Sequence, residues 1–505
     1  MLVLYTKNEK ELYLDIILIH IPIEVGKKSH DTAFPFSKTI NYGLLSIGSY
    51  LINIGYDVRI LDFRDHPVKK NINKIKKSID IIQPKMIGLS CISGFSFPYL
   101  PKFSHDIKSS FPEIPIIVGG KDHVGLFGGQ LLEECKDIDI VVMGEGEEVT
   151  NLILRSINKG QSLDGIPNIC FREKGTVRRT NPVNRLKPPI LSSLDYKLYP
   201  NIKTYPPSIE ISRGCPFNCD FCVSSRTKVR KKSVRIISNE VKLLCDHYND
   251  EYLKIYFETP NMLFTKKEIE ELINFRKKFN LNFSYRSETR VEYLQSHSIE
   301  KLAESGLKVI DLGLESGSME MLRRMNKTKR PDAYLNSAEI ILEKAFSLDI
   351  IIKLNILFYI GENRKTISDT LSFIDRNKHH IRSISAYPLI GFQCQNFGNQ
   401  FKKDLLKYGG SIVNNCDWKK RKMFPINPST EFSYEELLKT SLLISKGYQS
   451  EADFFYQKQY GYFSPNISYQ EFRDEVQRHN QDGMPFYTTD EEKQLARNSL
   501  FKLIQ

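Results

Sequence analysis

Ile211-Ser212-Arg213-Gly214-Cys215-Pro216-Phe217-Asn218-Cys219-Asp220-Phe221-Cys222 gathers three of the nine cysteines of the chain into a C-x-x-x-C-x-x-C run. The apolar segment 208–211 just before it reads as a strand. Thiolates crowded on one loop in a reducing compartment are better explained by a soft metal than by disulfides. Three ligands instead of four suggest an iron–sulfur cluster with one iron left open, and chemistry is expected at that iron. The alternative is a structural zinc site, which closes with four ligands and for which Cys245 or His247 could be the fourth.

Downstream, residues 253–257, 282–287, 309–314, 350–358 and 381–387 read as further strands. Residues 266–279 form a helix with Ile269, Leu272, Ile273 and Phe279 on one face. Strand–helix repeats of this length predict a parallel barrel over residues 206–390. Glu258, Arg290, Glu315 and Ser316 stand at strand ends, where they either hold a ligand or serve as caps and barrel salt bridges.

Upstream, residues 1–150 alternate short apolar runs (15–20, 57–61, 86–90, 114–118, 139–143) with helical stretches (43–54, 71–82, 103–110). This is the pattern of a doubly wound α/β domain with a parallel sheet. Such sheets bind ligands at the carboxyl ends of their strands. The loops there carry Ser90 and Ser93, Gly119 and Gly120 with His123, and Gly144 and Glu145. They are either tight turns or a ligand cradle. Residues 151–205 are rich in proline and predict a linker with a small hairpin around Gly175. Residues 391–505 are helical and aromatic-rich, and are expected to cap the barrel mouth. Their Tyr456, Tyr460, Tyr462 and Phe463 are expected to pack on the barrel rather than stack on a substrate.

The bulk properties narrow the function. The chain has 505 residues, 41% of them apolar and 26% charged, with a mean hydropathy of −0.35. No run approaches a membrane helix, and residues 1–10 lack a signal-peptide layout, so a cytoplasmic protein is expected. The other six cysteines, Cys91, Cys135, Cys170, Cys245, Cys394 and Cys416, are scattered and predict no disulfide framework. They are expected to be small buried hydrophobes, with Cys394 or Cys416 as candidates for a substrate-side thiol. The net charge of +12 is spread along the chain without a nucleic-acid motif, so solvated lysine-rich surfaces are expected rather than a nucleic-acid groove.

The run S-R-G-C-P-F-N-C-x-F-C resembles the cluster loop of the radical S-adenosylmethionine (SAM) superfamily. Pro84 to Ser90 (P-x-x-I-G-L-S), Ile117 to His123 (I-V-G-G-x-x-H) and Val141 to Glu147 (V-V-x-G-E-G-E) resemble the cobalamin-binding domain that precedes many such enzymes. The resemblance implies a partial six-unit barrel and a [4Fe–4S] cluster on Cys215, Cys219 and Cys222, whose free iron chelates SAM. It puts Phe221 beside the adenine, Glu258 near the methionine amine, Arg290 near its carboxylate or in support, and Glu315 and Ser316 beside the ribose. It implies cobalamin against Ser90, Gly119, Gly120, Gly144 and Glu145. The D-x-H-x-x-G signature that supplies a cobalt ligand is absent, so His123 is expected to be a loop or nucleotide-tail contact. The loops at Phe358 to Asn363 and Ile390 to Cys394 also depart from the family pattern, which points to a different substrate.

The implied activity is methyl transfer to an unactivated carbon of a peptide or small natural-product intermediate. A 5′-deoxyadenosyl radical removes hydrogen, methylcobalamin delivers the methyl group, and a flavodoxin or ferredoxin supplies electrons. The alternatives are a rearrangement, cyclisation or oxidation with the same cofactors, and a non-enzymatic cobalamin or iron–sulfur sensor. A methylthiotransferase is disfavoured, since the first domain has only Cys91 and Cys135.

Overall fold

A computed structural model describes residues 14–21, 38–62, 68–92, 94–120, 124–181, 191–199, 201–392, 399–478, 484–486 and 489–504. Ser93, His123 and Cys394 lie outside them. The chain divides into two compact units, residues 1–24, 41–189 and 194–202, and residues 25–40, 190–193 and 203–505. Among the described residues, no helix is long and apolar enough to cross a membrane.

The first unit is built on β1 (Ile16–His20), β2 (Val58–Asp62), β3 (Met86–Ser90), β4 (Ile116–Gly119) and β5 (Ile140–Val142), all parallel. Strands β1, β3 and β5 are buried at every position. That is why they read as continuous apolar runs rather than alternating ones. Helices Tyr42–Asn53, Val68–Ile82, Leu100–Lys108 and Glu147–Lys159 connect or flank them. The order β2-β1-β3-β4-β5 reverses direction between β1 and β3, which opens a crevice at their carboxyl ends.

The sheet does not stop near residue 150. The hairpin expected in the linker is β6 (Ile169–Glu173) and β7 (Thr176–Arg179), which extends the sheet antiparallel on β5. The end of the proline-rich stretch is also fastened to this unit. The Tyr199 hydroxyl accepts from the Asn41 amide at 3.0 Å and donates to Asp62 Oδ2 at 3.1 Å. Proline spacing marks irregular backbone, but it does not reveal long-range hydrogen bonds of this kind.

In the second unit six parallel strands form one sheet: β8 (Ser208–Glu210), β11 (Lys254–Glu258), β12 (Ser284–Thr289), β13 (Leu307–Glu315), β14 (Ile351–Phe358) and β15 (Ser383–Pro388). Between β8 and β11, the short antiparallel pair β9 (Ser212–Arg213) and β10 (Arg230–Lys231) brackets the cysteine loop. The order is β15-β14-β13-β12-β11-β8, a six-unit sheet rather than a closed eight. Each crossover is helical. Helix Lys266–Phe279 starts with a capping box between Thr265 and Glu268, as the sequence T-K-K-E allows.

Residues 391–505 divide between the two ends of this sheet. Phe401, Leu405 and Ile426 pack with Met321, Met325, Tyr359, Ile360 and Leu389, which follow the carboxyl ends of β13, β14 and β15. The aromatic stretch lies at the other end. Tyr460 packs on Val309 and Ile351, near the starts of β13 and β14, and its hydroxyl lies 2.9 Å from the Oγ of Ser284, the first residue of β12. Tyr456, Tyr460 and Tyr462 therefore pack on the barrel, but at its amino-terminal end, whereas Phe463 packs among Phe454, Phe455 and Phe472 of the last stretch itself. Among the described residues of this stretch, 399–431 stand on the side of the cysteine loop.

Candidate functional site

The cysteine loop is a hairpin that only a particular backbone permits. Gly214 has φ +86°, and a Cβ there would lie 2.2 Å from the Lys228 carbonyl oxygen. The Cys215 amide donates to Thr227 Oγ1 at 2.9 Å, and the Thr227 amide donates back to the Cys215 carbonyl at 3.0 Å. The Asp220 amide donates to the Met325 carbonyl, and Asn326 Nδ2 to the Asn218 carbonyl at 2.9 Å, which ties the loop to the turn after helix Met319–Arg324.

Cys215 and Cys219 are buried and Cys222 half-buried. Burial pushes the Cys215 and Cys222 thiols up, and the neighbouring thiols add to it. The cations Arg290 and Lys327 act on Cys215 in the opposite sense. Three thiols that feel one another beside two buried cations suit an anionic cluster, in which each thiolate takes a different iron. Among the described residues no three His, Cys, Asp or Glu side chains are placed to hold a single metal ion. Cys245, the candidate fourth zinc ligand, is pushed up to about 12 by burial and by Asp250, Asp246 and Glu251, with no loop thiol among its influences.

Arg290 follows β12 and is almost fully buried. Its Nη1 lies 2.8 Å from the Cys219 sulfur, and its guanidinium carbon lies 4.0 Å from the Phe217 ring centroid. Glu315 ends β13 with φ +70°, at a shift in register against β14. Its Oε1 accepts from Lys327 Nζ at 2.9 Å. That ammonium also stands 6.0 Å from the Phe221 ring centroid, and Phe221 meets Tyr359 edge-on. The turn after Glu315 is held by Ser316, whose Oγ lies 2.9 Å from Thr370 Oγ1 and accepts from the Ser318 amide at 3.1 Å. Phe221, Arg290 and Glu315 thus gather around the cysteines, while the Ser316 hydroxyl is engaged in the turn itself.

The sheet carries a row of acids that the strand-by-strand reading did not reveal. Register pairs Glu210 with Glu258, Glu288 with Asp311, and Asp311 with Lys353. Arg213 holds Glu210 at 2.8 and 2.9 Å. Arg286 grips Asp311 at 2.5 and 2.7 Å, and Lys353 lies 3.5 Å away. Burial pushes the Asp311 carboxyl up, but Arg286 and Lys353 outweigh it and hold the group below its usual range. Glu258 and Glu288 have no such partner among the described residues. Burial, reinforced by Glu288 and Glu210 and opposed by Arg286, pushes Glu258 up to about 8. Glu288 accepts from the Tyr256 hydroxyl at 2.7 Å and is raised by burial and by Asp311. Polar and charged residues at alternate positions within apolar strands (Tyr256 and Glu258, Arg286 and Glu288) are the available signal. Lys327, in a helix-to-helix turn, had none.

In the first unit, His20 and Ser90 end β1 and β3 and face each other in register at the crevice. Asn41 Nδ2 bridges them, 3.2 Å from His20 Nδ1 and 3.0 Å from Ser90 Oγ. Gly120 must be glycine, because its Cβ would lie 2.0 Å from the Cys91 carbonyl oxygen. Gly119 and Gly144 are different: a Cβ on either meets nothing within 4 Å, and Gly144 has φ +102°. Glycines at the strand ends with open space over them form a cradle for a large ligand lying against backbone, so these residues fit a corrinoid.

Residues 209–374 match the model of the radical SAM superfamily, and residues 35–154 that of the B12 binding domain. The chain is 27% identical over 346 residues to an uncharacterised methyltransferase of Pyrococcus horikoshii, which covers 66% of this chain and 72% of that protein. It is 24% identical over 347 residues to the cytidylyl-2-hydroxyethylphosphonate methyltransferase of Streptomyces wedmorensis, covering 57% and 64%. Its fold is similar to that of the radical S-adenosylmethionine methyltransferase TsrM from Kitasatospora setae, with a TM-score of 0.65 over 79% of each chain at 15% identity. The cofactor set expected from the sequence, a [4Fe–4S] cluster, SAM and cobalamin, is the set that goes with these two matches. The chain therefore joins a radical S-adenosylmethionine domain at residues 209–374 to a B12 binding domain that precedes it at residues 35–154.

Proposed function

We propose that this enzyme transfers a methyl group to an unactivated carbon of a peptide or small natural-product intermediate. The observation that carries the reading is the three-thiol loop flanked by Arg290 and Lys327, in one chain with the glycine-floored crevice of the first unit. When bound, the cluster supplies the electron that cleaves SAM, and cobalamin supplies the methyl group.

The remaining roles belong to side chains of the chain itself. Cys215, Cys219 and Cys222 hold the cluster and leave one iron for SAM. Glu258, with no cation of its own, holds a proton until an ammonium group such as that of the methionine moiety takes its place. Glu315, in a left-handed conformation, is held at one oxygen by Lys327 and offers its second carboxylate oxygen toward a ribose. Phe221 provides an aromatic wall for the adenine. Gly119, Gly120, Gly144, Ser90 and Glu145 line the corrinoid side. A flavodoxin or ferredoxin is the proposed electron donor.

The test is anaerobic turnover of the reconstituted full chain with methyl-deuterated SAM and candidate substrates. Deuterium in the product supports methylation. Product without label, formed together with 5′-deoxyadenosine, would instead make the reaction a rearrangement, cyclisation or oxidation.

A further inference from the structure

Arg290 is held too firmly, and too close to one sulfur, to be a general support. Its Nε donates to Glu292 at 3.2 Å and its Nη2 to Glu292 at 2.7 Å. Nη2 also donates to the Lys327 carbonyl, and Nη1 points at the Cys219 sulfur, 2.8 Å away. The ring of Phe217, which stands between Cys215 and Cys219 in sequence, has its centroid 4.0 Å from the guanidinium carbon. Arg290 is 5% exposed, so little water screens its charge. Four of the five guanidinium N–H groups are committed, which leaves no pair to grip a ligand carboxylate side by side.

We propose that Arg290 sets the reduction potential of the cluster held by Cys215, Cys219 and Cys222, through a charge-assisted hydrogen bond from Nη1 to the Cys219 sulfur. The proposal rests on the family reading of the loop. Reduction adds one electron from the donor to the cluster, and no bond forms or breaks. The added negative charge falls on the irons and their sulfurs. A buried cation against one of those sulfurs stabilises the reduced form more than the oxidised one and so raises the potential. Glu292, paired with the far side of the guanidinium, offsets part of this charge, but Nη1 rather than the carboxylate faces the Cys219 sulfur. Lys327 acts in the same direction from a greater distance, being engaged with Glu315.

The test is a redox titration of anaerobically reconstituted full-length wild type, R290M and R290K, using dithionite with mediators and electron paramagnetic resonance of the reduced cluster. R290M is expected to be harder to reduce, with at least a tenfold smaller reduced-to-oxidised ratio at fixed potential, or about 59 mV for one electron. R290K, which keeps the charge but loses the fork, is expected to fall between. A wild-type potential in fully iron-loaded R290M would overturn the proposal. Should R290M fail to load iron, R290K decides: a lowered potential supports the proposal and an unchanged one overturns it. A wild-type chain that takes up no four-iron cluster would overturn the family reading of the loop instead.

Discussion

Lys327 Nζ and Glu315 Oε1 meet at 2.9 Å, with side chains 3% and 12% exposed, at the turn where Glu315 takes a left-handed backbone. A non-glycine residue in that conformation costs on the order of 1 kcal/mol or more and persists only where its surroundings fix it. Here the register shift against β14 and the Ser316 hydrogen bonds fix the turn, and the ion pair fixes the carboxylate that it presents. Removing the ammonium leaves a buried carboxylate without its counter-charge, so K327M is expected to lose about 3 kcal/mol of stability in urea unfolding. It is also expected to bind SAM more weakly, as isothermal titration of the loaded protein would read.

Arg286 and Asp311 form a deeply enclosed pair of the second unit, side chains 1% and 3% exposed. D311N should cost about 3–5 kcal/mol, because the guanidinium then stays buried and unpaired. The double variant R286M/D311L should recover most of that loss. Equal losses in the single and double variants would refute the pairing argument.

Glu258 and Glu362 predict an unusual pH dependence for the cluster-free protein. Burial raises Glu362 to about 8, with Thr366, the Tyr359 backbone and Arg324 opposing and Glu320 adding. Glu258 is raised to a similar value by burial, Glu288 and Glu210, with Asp311 adding and Arg286 opposing. Both acids keep their proton in the folded state above the ordinary value of 4.5, where the unfolded chain has lost it. The folded state therefore binds more protons, and stability falls as pH rises from about 4.5 to about 8, then levels off. Each group contributes a slope of up to about 1.4 kcal/mol per pH unit. Urea unfolding between pH 5 and 8.5 should show E258Q and E362Q each flattening that slope.

The crevice of the first unit separates folding from ligand retention. A side chain on Gly119 projects into open space, so G119L should leave the melting temperature nearly unchanged and lose bound cobalamin, read from the absorbance of the purified protein. G120A should fail at the folding step, since its Cβ would strike the Cys91 carbonyl. Retention of cobalamin by G119L would place the ligand elsewhere.

Both parallel sheets are legible because short apolar runs between helices mark their strands: 86–90 is buried on both faces, while 351–358 alternates but is still mostly aliphatic. The cysteine loop was legible because three thiols in eight residues have few structural uses. What escaped depends on contacts distant in sequence. Tyr199 reaches Asp62 and Asn41 across more than a hundred residues, so the sequence could not show that the proline-rich stretch is tied to the first unit. Lys327 gains its meaning only from Glu315 and Phe221, and the row from Glu210 to Lys353 exists only once register is set. The aromatic residues 456–463 were read as packing residues, but composition says nothing about which end of a sheet they cover.

That last stretch bears on the order of assembly. Arg286 donates to the Gln457 carbonyl, 171 residues further on, and lies 5.4 and 5.0 Å from the ring centroids of Tyr256 and Tyr462. Until residue 462 has left the ribosome, the Arg286–Asp311 pair has no lid and the floor of the barrel stays wet. The six strands can be synthesised and paired before then, but they cannot be finished. The cysteine loop, at the opposite end, has its backbone partners by residue 326, although Phe221 still lacks Tyr359 at that point. The site can thus meet iron while its own barrel is still being closed from below.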